Sequence, residues 1–179
     1  KKKDLPPFVI FQDPSLDDMA IQYPITKEDL RKISGVGEGK ITKFGGEFVK
    51  LIAQYVEEND IDRPDDFVVK SVANKSGLRI HIIQNIDRKI PLADIAQSKN
   101  IKLNDLVTEM ETIVAAGTRL NINYYLNEEL GEESIEEIFD YFMEAESDDI
   151  QTAYDEFDGD FSEEEIRLVK IKFMSEVAN

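Results

Sequence analysis

Cysteine is absent from this chain of 179 residues, and His81 is its single histidine. Without cysteine the chain can form no disulfide framework, no thiolate zinc site and no thiol nucleophile. A single histidine cannot build a histidine metal cluster or a catalytic triad. These absences predict no catalytic residue and no metal site in this chain, and they fit a reducing cytoplasm.

Long apolar runs are absent as well. No segment approaches the roughly 18 apolar residues of a membrane helix, and the opening Lys-Lys-Lys-Asp-Leu-Pro-Pro is no signal peptide. We therefore expect no membrane partner. The chain opens without methionine, which predicts a fragment or a processed piece. Hydrophobic residues at 41% and aromatic residues at 9% are typical of a folded protein.

Basic residues are scarce in one part of the chain only. The formal net charge is −17, but residues 1–58 hold nine basic and ten acidic side chains, and residues 59–130 hold nine and eleven. Residues 131–179 hold three basic and seventeen acidic side chains. Because phosphates attract lysine and arginine, nonspecific DNA binding by the whole chain is not expected. The first two thirds can still carry local basic patches.

The first segment, residues 1–58, has the pattern of a small helical domain. Ser15 and Thr26 are the predicted N-caps of two short helices. A longer helix is predicted from about Gly39 to Glu58, because its apolar residues form one stripe at helical spacing. Residues 59–66 are polar and contain a proline, so we place a linker there.

Residues 67–130 have the pattern of a second small domain. Apolar residues at helical spacing predict three helices, of which the last is capped by Asn104 and ended by Gly117. From Leu120 to Leu126 apolar and polar residues alternate, which predicts one short strand. Helix, short helix, tight turn, longer helix and strand is the order of a helix-turn-helix with a wing-like element.

Residues 131–179 predict an acidic helical tail. Ser134 with Glu137, and Ser162 with Glu165, fit the capping box in which the two side chains satisfy each other's free backbone N–H groups. The apolar-striped helices are expected to pack on a neighbour or to cover a basic surface of a partner. The alternative is a solvated acidic face.

The most informative stretch is Gly35-Val36-Gly37-Glu38-Gly39-Lys40. A glycine-rich turn that opens a helix presents backbone N–H groups and a positive dipole end, which suit a phosphate oxygen. Lys40 and Lys43 would lie on or beside the same face. The stretch is not a Walker A loop, because no serine or threonine follows the lysine. A plain turn between two helices is the alternative interpretation.

Residues 5–56 carry further signatures in order, namely Pro6-Pro7-Phe8-Val9-Ile10-Phe11, Leu16-Asp17-Asp18-Met19-Ala20, Tyr23-Pro24-Ile25-Thr26, Leu30, Ile33, Gly35-Val36-Gly37, Lys40, Phe44-Gly45 and Phe48. This series resembles the HRDC domain, which RecQ helicases and RNase D share. The resemblance implies a small helical bundle that helps its parent enzyme hold single-stranded or branched DNA. HRDC domains usually begin with a further helix, so the chain is expected to start inside its first domain.

The same resemblance implies the residues of a weak DNA contact within residues 1–58. The exposed aromatic of the family falls on Phe8, a candidate for stacking on a base unless it belongs to the core. The basic positions around the turn fall on Lys40 and Lys43, and Arg31 extends the patch with Lys27 and Lys32. The predicted nucleic-acid-binding set is Phe8, Arg31, Gly35, Gly37, Lys40 and Lys43.

The motifs Asp94-Ile95-Ala96, Asp105-Leu106 and the run over 117–125 are similar to those of the helicase-associated helix-turn-helix that follows HRDC in some bacterial RecQ proteins. This order favours RecQ over RNase D as the parent. A helix that reads DNA carries arginine, lysine, asparagine or glutamine toward the bases. No lysine or arginine lies between Asn104 and Thr118. A structural or protein-docking use of this domain is therefore expected.

The expected fold is mainly α-helical: an HRDC-like bundle, a helix-turn-helix or winged-helix-like domain with one short strand, and an acidic helical tail. The chain is expected to be no enzyme and to hold no cofactor. Its parent would be an ATP-dependent DNA helicase, a hydrolase of recombination and repair that uses ATP and Mg²⁺. The expected location is the bacterial cytoplasm, at the nucleoid.

The expected partners are single-stranded or branched DNA, bound weakly through residues 1–58, and a protein partner or the parent helicase core, bound through the tail. Two alternatives stay open. The first is a protein-interaction module without DNA contact, and the second is an accessory region of an RNase D-like exonuclease.

Overall fold

The computed structural model describes residues 5–61, 63 and 75–178, and the structural statements below concern these residues. Within them the chain is mainly helical, as predicted, and forms no strand. The helices are α1 (Pro7–Ile10), α2 (Asp13–Gln22), α3 (Lys27–Leu30), α4 (Glu38–Lys40), α5 (Gly46–Glu58), α6 (Lys75–Asp87), α7 (Leu92–Ser98), α8 (Leu103–Ala115), α9 (Asn123–Glu129), α10 (Glu132–Glu144), α11 (Ile150–Glu156) and α12 (Glu163–Phe173), with π-helical segments at Ile41–Gly45 and Met174–Ala178.

Helices α2 to α5 enclose a small apolar core. The predicted cap of α3 is confirmed, because Thr26 Oγ1 accepts a hydrogen bond from the Asp29 N–H at 3.0 Å. The predicted cap of α2 is wrong: that helix begins at Asp13, and Ser15 lies buried in its first turn. The core consists of Phe11, Met19, Leu30, Ile33, Val36, Ile41 and Phe44.

The predicted longer helix is found as α4, the π-helical segment Ile41–Gly45 and α5 in one continuous run. Its apolar stripe is only partly buried. Phe48 packs against the core of the first domain, whereas Leu51 is 65% exposed and Tyr55 is 51% exposed. The ring of Tyr55 stacks on Tyr23 with the centroids 6.5 Å apart. One side of α5 therefore faces solvent with apolar side chains among the residues that the structure describes.

Helices α6, α7 and α8 form the helix-turn-helix. Asn100 adopts a left-handed backbone conformation, with φ of 53°, in the turn between α7 and α8. The predicted cap Asn104 is wrong, since α8 already begins at Leu103. One face of α8 is buried, and it consists of Leu106, Val107, Met110, Ile113 and Val114.

The strand predicted from Leu120 to Leu126 is wrong. Residues from Asn123 onward form α9, and Leu120 and Ile122 are buried in the loop that precedes it. The alternating series contains Ile122 and Leu126, which are four residues apart and therefore also share one face of a helix. Because the two periodicities coincide over so few residues, packing against the core selects the helix. Between residues 75 and 130 the domain has no strand that could form a wing.

The tail begins α12 with the predicted capping box. Ser162 Oγ accepts from the Glu165 N–H at 3.3 Å, and Glu165 Oε2 accepts from the Ser162 N–H at 2.7 Å. The other predicted box is wrong, because α10 begins at Glu132 and Ser134 lies inside its first turn. A box needs its serine just outside the helix, and α10 starts earlier than the pattern suggests.

The tail folds back onto the rest of the molecule. Helix α12 packs against α8, α9, α10 and α11. Phe142 of α10 and Phe173 of α12 are fully buried in one large core with the helix-turn-helix. Fully burying a side chain of this kind stabilises a fold by roughly 1.5–3 kcal/mol. The acidic segment is therefore part of the folded body, although its outer face is charged.

Candidate nucleic-acid interface

The glycine-rich turn is held in place by the first domain. Gly35 has a φ of 78°, in the left-handed region that favours glycine. A Cβ at this position would lie 2.8 Å from Ser15 Oγ, which itself donates to the Ser34 carbonyl at 2.8 Å. The Ser34 N–H donates to Asp18 Oδ2 at 2.9 Å. Helix α2 thus fixes the turn from one side.

From the other side, the turn is covered by the C-terminal end of α8. The Gly37 N–H donates to the Ala116 carbonyl at 2.9 Å. A Cβ at Gly37 would lie 2.2 Å from the Ala116 oxygen, and a Cβ at Gly39 would lie 2.2 Å from the Gly117 oxygen. We call these four residues the glycine seam. The backbone N–H of Gly37, predicted to meet a phosphate, is engaged in docking the two domains.

Lys40 is buried rather than presented to solvent. Its side chain is 1% exposed, and its Nζ donates a hydrogen bond to the Val9 carbonyl and lies 5.6 Å from the centroid of the Phe44 ring. Burial, together with the nearby charge of Lys43, lowers the pKa of Lys40 to about 8. In this conformation Lys40 cannot contact a phosphate. It helps to join α1 to the start of the longer helix.

Phe8 belongs to the core. Its side chain is 8% exposed, and its ring lies 6.3 Å from that of Phe173, centroid to centroid. Of the two alternatives, an exposed stacking residue or a core residue, the structure places Phe8 in the second. The acidic segment contributes Phe173, so this packing could not be read from the first domain alone.

Arg31 and Lys43 do lie on the surface. Arg31 makes a bidentate contact with Glu38, in which Nε donates to Oε2 at 2.8 Å and Nη2 donates to Oε1 at 3.0 Å. Its Nη1 donates to Glu28 Oε1 at 3.2 Å. The hydrogen bonds with Glu38 raise the pKa of Arg31 and lower the pKa of Glu38. Lys43 Nζ lies 5.5 Å from the Phe44 ring centroid and donates to the Val177 carbonyl at 3.4 Å. Both side chains are exposed to solvent.

Arg167 of α12 covers the polar stripe of α8, which we define as Asn104, Thr108 and Glu111. Its Nη2 donates to Glu111 Oε2 at 2.7 Å and to Thr108 Oγ1 at 2.8 Å, and its Nη1 donates to Asn104 Oδ1. The hydrogen bonds to Glu111, together with its charge, raise the pKa of Arg167. Arg167 was not among the site residues predicted from the sequence. The available signal was that it is the one arginine of residues 131–179, which are strongly acidic.

No other kind of site emerges from the described part of the chain. Among residues 5–61, 63 and 75–178, no group of three or more histidine or acidic side chains is placed to hold a metal ion. None of the helices described in these ranges is long and apolar enough to cross a bilayer.

Two family models match the chain over separate segments. The model of the HRDC domain matches residues 1–52, and that of the RecQ-1-like helix-turn-helix domain matches residues 76–126. The chain therefore carries an HRDC domain followed by a RecQ-1-like helix-turn-helix domain. The glycine seam therefore joins the HRDC domain to the helix-turn-helix domain. Helix α12 lies outside both matched segments.

Curated relatives support the assignment. The chain is 37% identical over 59 residues to the ATP-dependent DNA helicase RecQ of Bacillus subtilis (strain 168), covering 33% of this chain and 10% of that protein. It is 35% identical over 54 residues to the RecQ helicases of Haemophilus influenzae and Pasteurella multocida, covering 30% of this chain and 9% and 8% of those proteins. The matched region thus spans a tenth or less of the relatives' length.

Proposed function

We propose that this RecQ-type region is the accessory part of a longer ATP-dependent DNA helicase of recombination and repair. Its HRDC domain makes weak contact with single-stranded or branched DNA, and its helix-turn-helix and acidic tail serve in docking or regulation. The observation that carries the proposal is the succession of an HRDC domain and a RecQ-1-like helix-turn-helix in one folded body.

The DNA contact is proposed on the surface of the HRDC domain that carries Arg31 and Lys43. Lys27 and Lys32 are exposed on the same domain, near Arg31 in the chain. With Phe8 and Lys40 buried and Gly37 engaged in the seam, neither stacking on Phe8 nor a backbone cradle supports the contact. What remains is attraction between cations and phosphates, which is weak and sensitive to salt.

The helix-turn-helix is proposed to serve docking rather than base reading. The stripe of α8 that Arg167 covers would have to be uncovered before it could enter a groove, and Glu111 would then face phosphates without its cation. Asp105, also exposed on α8, adds a further negative charge. Like charges repel, so this helix is poorly suited to the major groove.

The chemistry of the parent lies outside this chain in the proposal. The chain itself is proposed to be no enzyme and to hold no cofactor, while a motor elsewhere in the parent binds ATP and Mg²⁺ and drives strand separation. Such a protein would work in the bacterial cytoplasm, at the nucleoid.

The DNA contact is tested by titrating labelled oligo(dT) with the chain at low salt, using fluorescence anisotropy. Replacing both Arg31 and Lys43 by alanine should weaken binding several-fold. A contact with two or three phosphates predicts that log K falls against log salt with a slope of about −1.5 to −2. The matched control is Arg88→Ala with Lys99→Ala, which removes two exposed cations from the helix-turn-helix domain and should leave binding unchanged.

The competing function is a protein-interaction module without DNA contact. The observation that favours it is the glycine seam, which uses the predicted phosphate cradle for contact within the molecule. If the unaltered chain fails to bind oligo(dT) at low salt, the DNA part of the proposal is wrong and the competing function stands. If both double variants weaken binding equally, the contact does not lie at Arg31 and Lys43.

A further inference from the structure

Arg119 follows the glycine seam on the side of the helix-turn-helix domain. It comes two residues after Gly117, in the loop that joins α8 to α9. Its side chain is exposed, and within residues 5–61, 63 and 75–178 that side chain makes no ion pair and no hydrogen bond. An arginine keeps its charge at every physiological pH. This guanidinium therefore presents an uncompensated positive charge to solvent.

The sequence around Arg119 contains no acidic side chain. Residues 112–127 hold no aspartate and no glutamate, in a chain whose formal net charge is −17. Thr118 and Asn121, close to the arginine, are exposed as well. In complexes with nucleic acids, phosphate oxygens accept hydrogen bonds from arginine and lysine and also from threonine and asparagine. The loop therefore has the residue types of a phosphate contact.

The glycine seam places this loop against the helix that carries Lys43. A Cβ at Gly39 would lie 2.2 Å from the Gly117 oxygen, so the side of the helix at Gly39 faces the beginning of the loop. Lys43 comes four residues after Gly39, and residues four apart share one face of a helix. Lys43 therefore lies on the side of the helix that faces the loop of Arg119.

The π-helical segment that follows α12 holds the same two places. The Leu120 N–H, next to Arg119 in the chain, donates to Ser175 Oγ at 3.1 Å. Lys43 Nζ donates to the Val177 carbonyl at 3.4 Å. The two acceptors belong to residues that are two positions apart, which is at most about 7 Å of chain. Folding thus brings Arg119 and Lys43 together from different domains.

Arg31 lies beside the seam as well. It binds Glu38, the residue before Gly39, through two hydrogen bonds, which balance the charge of that carboxylate. Arg31, Lys43 and Arg119 are therefore three exposed cations that border the glycine seam, two from the HRDC domain and one from the helix-turn-helix domain.

We propose that Arg119 is a further phosphate-binding residue, and that single-stranded DNA crosses the glycine seam from the HRDC domain to the loop after α8. This inference rests on the proposed DNA contact of the HRDC domain and extends it to the second domain. It requires no reading of bases by α8, because Arg119 lies beyond the C-terminal end of that helix. The docked arrangement of the two domains becomes part of the binding site.

The test is a titration of labelled oligo(dT) with the whole chain at low salt. Arg119→Ala should weaken binding several-fold and make the slope of log K against log salt shallower by about 0.7, the value for one phosphate of a single strand. The matched control is Lys102→Ala, which removes one exposed cation at the other end of α8. Helix α8 has 13 residues and rises by roughly 20 Å, so the control should bind like the unaltered chain.

The crossing of the seam is tested by combining Arg119→Ala with Gly39→Ala, which places a Cβ 2.2 Å from the Gly117 oxygen. In a disturbed seam the arginine no longer stands beside Lys43, so its removal should weaken binding less than in the unaltered chain. With Gly46→Ala, which meets no neighbour within 4 Å, the effect of Arg119→Ala should be unchanged. Denaturant unfolding checks that each variant is folded, and Arg119→Ala alone decides if Gly39→Ala is not.

Unchanged binding by Arg119→Ala would overturn the proposal, and so would equal losses in Arg119→Ala and Lys102→Ala, which would mean nonspecific attraction. Poly(glutamate) that binds more tightly than oligo(dT), and loses its binding in Arg119→Ala, would make an acidic protein segment the ligand instead. A loss through Arg31→Ala with Lys43→Ala, without one through Arg119→Ala, would remove only the extension across the seam. Absence of oligo(dT) binding by the unaltered chain would contradict the proposed function itself.

Discussion

At the glycine seam backbone meets backbone, whereas on the polar stripe of α8 a single guanidinium covers three side chains. Both regions are covered from within the molecule. Each belongs to a motif that is typical of nucleic-acid contact, a glycine-rich turn in the first and the second helix of a helix-turn-helix in the second. The seam leaves no room for even one methyl group. The stripe is joined by polar contacts at the surface, which water can replace. The fit of the glycine seam therefore depends on the shape of the two backbones, whereas the cover of the polar stripe depends on the charge of Arg167.

The largest effect of an added methyl group is expected at the seam. Gly39→Ala would place a Cβ 2.2 Å from the Gly117 oxygen, and such overpacking costs about 1–3 kcal/mol. That exceeds the roughly 0.5–1 kcal/mol by which alanine is better than glycine in a helix. Denaturant unfolding should show a net loss of stability. The control is Gly46→Ala, which meets no neighbour and should raise stability; equal stability of the two variants would contradict a tight seam.

A second prediction concerns Lys40, beside the seam. Its pKa is lowered from 10.5 to about 8 by burial, so between these pH values the unfolded chain holds a proton that the folded chain has lost. The free energy of unfolding should therefore rise with pH across this window by about 3–4 kcal/mol, because each pKa unit corresponds to about 1.4 kcal/mol. Below about pH 8 the cost of the buried charge is present in full.

Lys40→Met should lack this rise, because it has no proton to lose. The measurement is denaturant unfolding of both proteins at several pH values between 7 and 10.5. Lys50→Met, at an exposed position of α5, is the matched control and should keep the rise of the unaltered chain. Parallel profiles for Lys40→Met and the unaltered chain would show that Lys40 does not titrate in this way.

The smallest effect is expected on the polar stripe. Arg167→Met removes the cation from Glu111, and both side chains are partly exposed, at 17% and 24%. Hydrogen bonds to charged groups contribute about 1.5–3 kcal/mol when buried and less at the surface, so a loss of about 1 kcal/mol is expected. A double-mutant cycle with Glu111→Gln isolates the pair. Arg119→Met, at an exposed cation, is the control, and zero coupling would remove Arg167 as the cover of α8.

Local features were predictable wherever a few neighbouring residues decide the outcome. The cap at Thr26 and the capping box of Ser162 with Glu165 are confirmed, because each depends on residues three apart. The predicted box at Ser134 and the strand over 120–126 are wrong. In both places the local pattern allowed two interpretations, and packing of distant residues chose between them.

The candidate site was predictable only in part. Arg31 and Lys43 lie on the surface, where a DNA contact through them stays a prediction. Phe8, Lys40 and Gly37 are engaged in contacts with residues far along the chain or in other elements, namely Phe173, the Val9 carbonyl and the Ala116 carbonyl. The spacing of neighbouring residues in the sequence does not predict such contacts.

The sequence by itself determined that the chain is mainly helical, that its acidic charge is concentrated in residues 131–179, and that an HRDC series precedes helix-turn-helix motifs. These follow from composition and from periodicities of a few residues. Only the tertiary structure decided that the glycine turn meets α8, and that Arg167 covers the polar stripe, whose Glu111 lies 56 residues before it. The physical reason is that these contacts join surfaces brought together by folding.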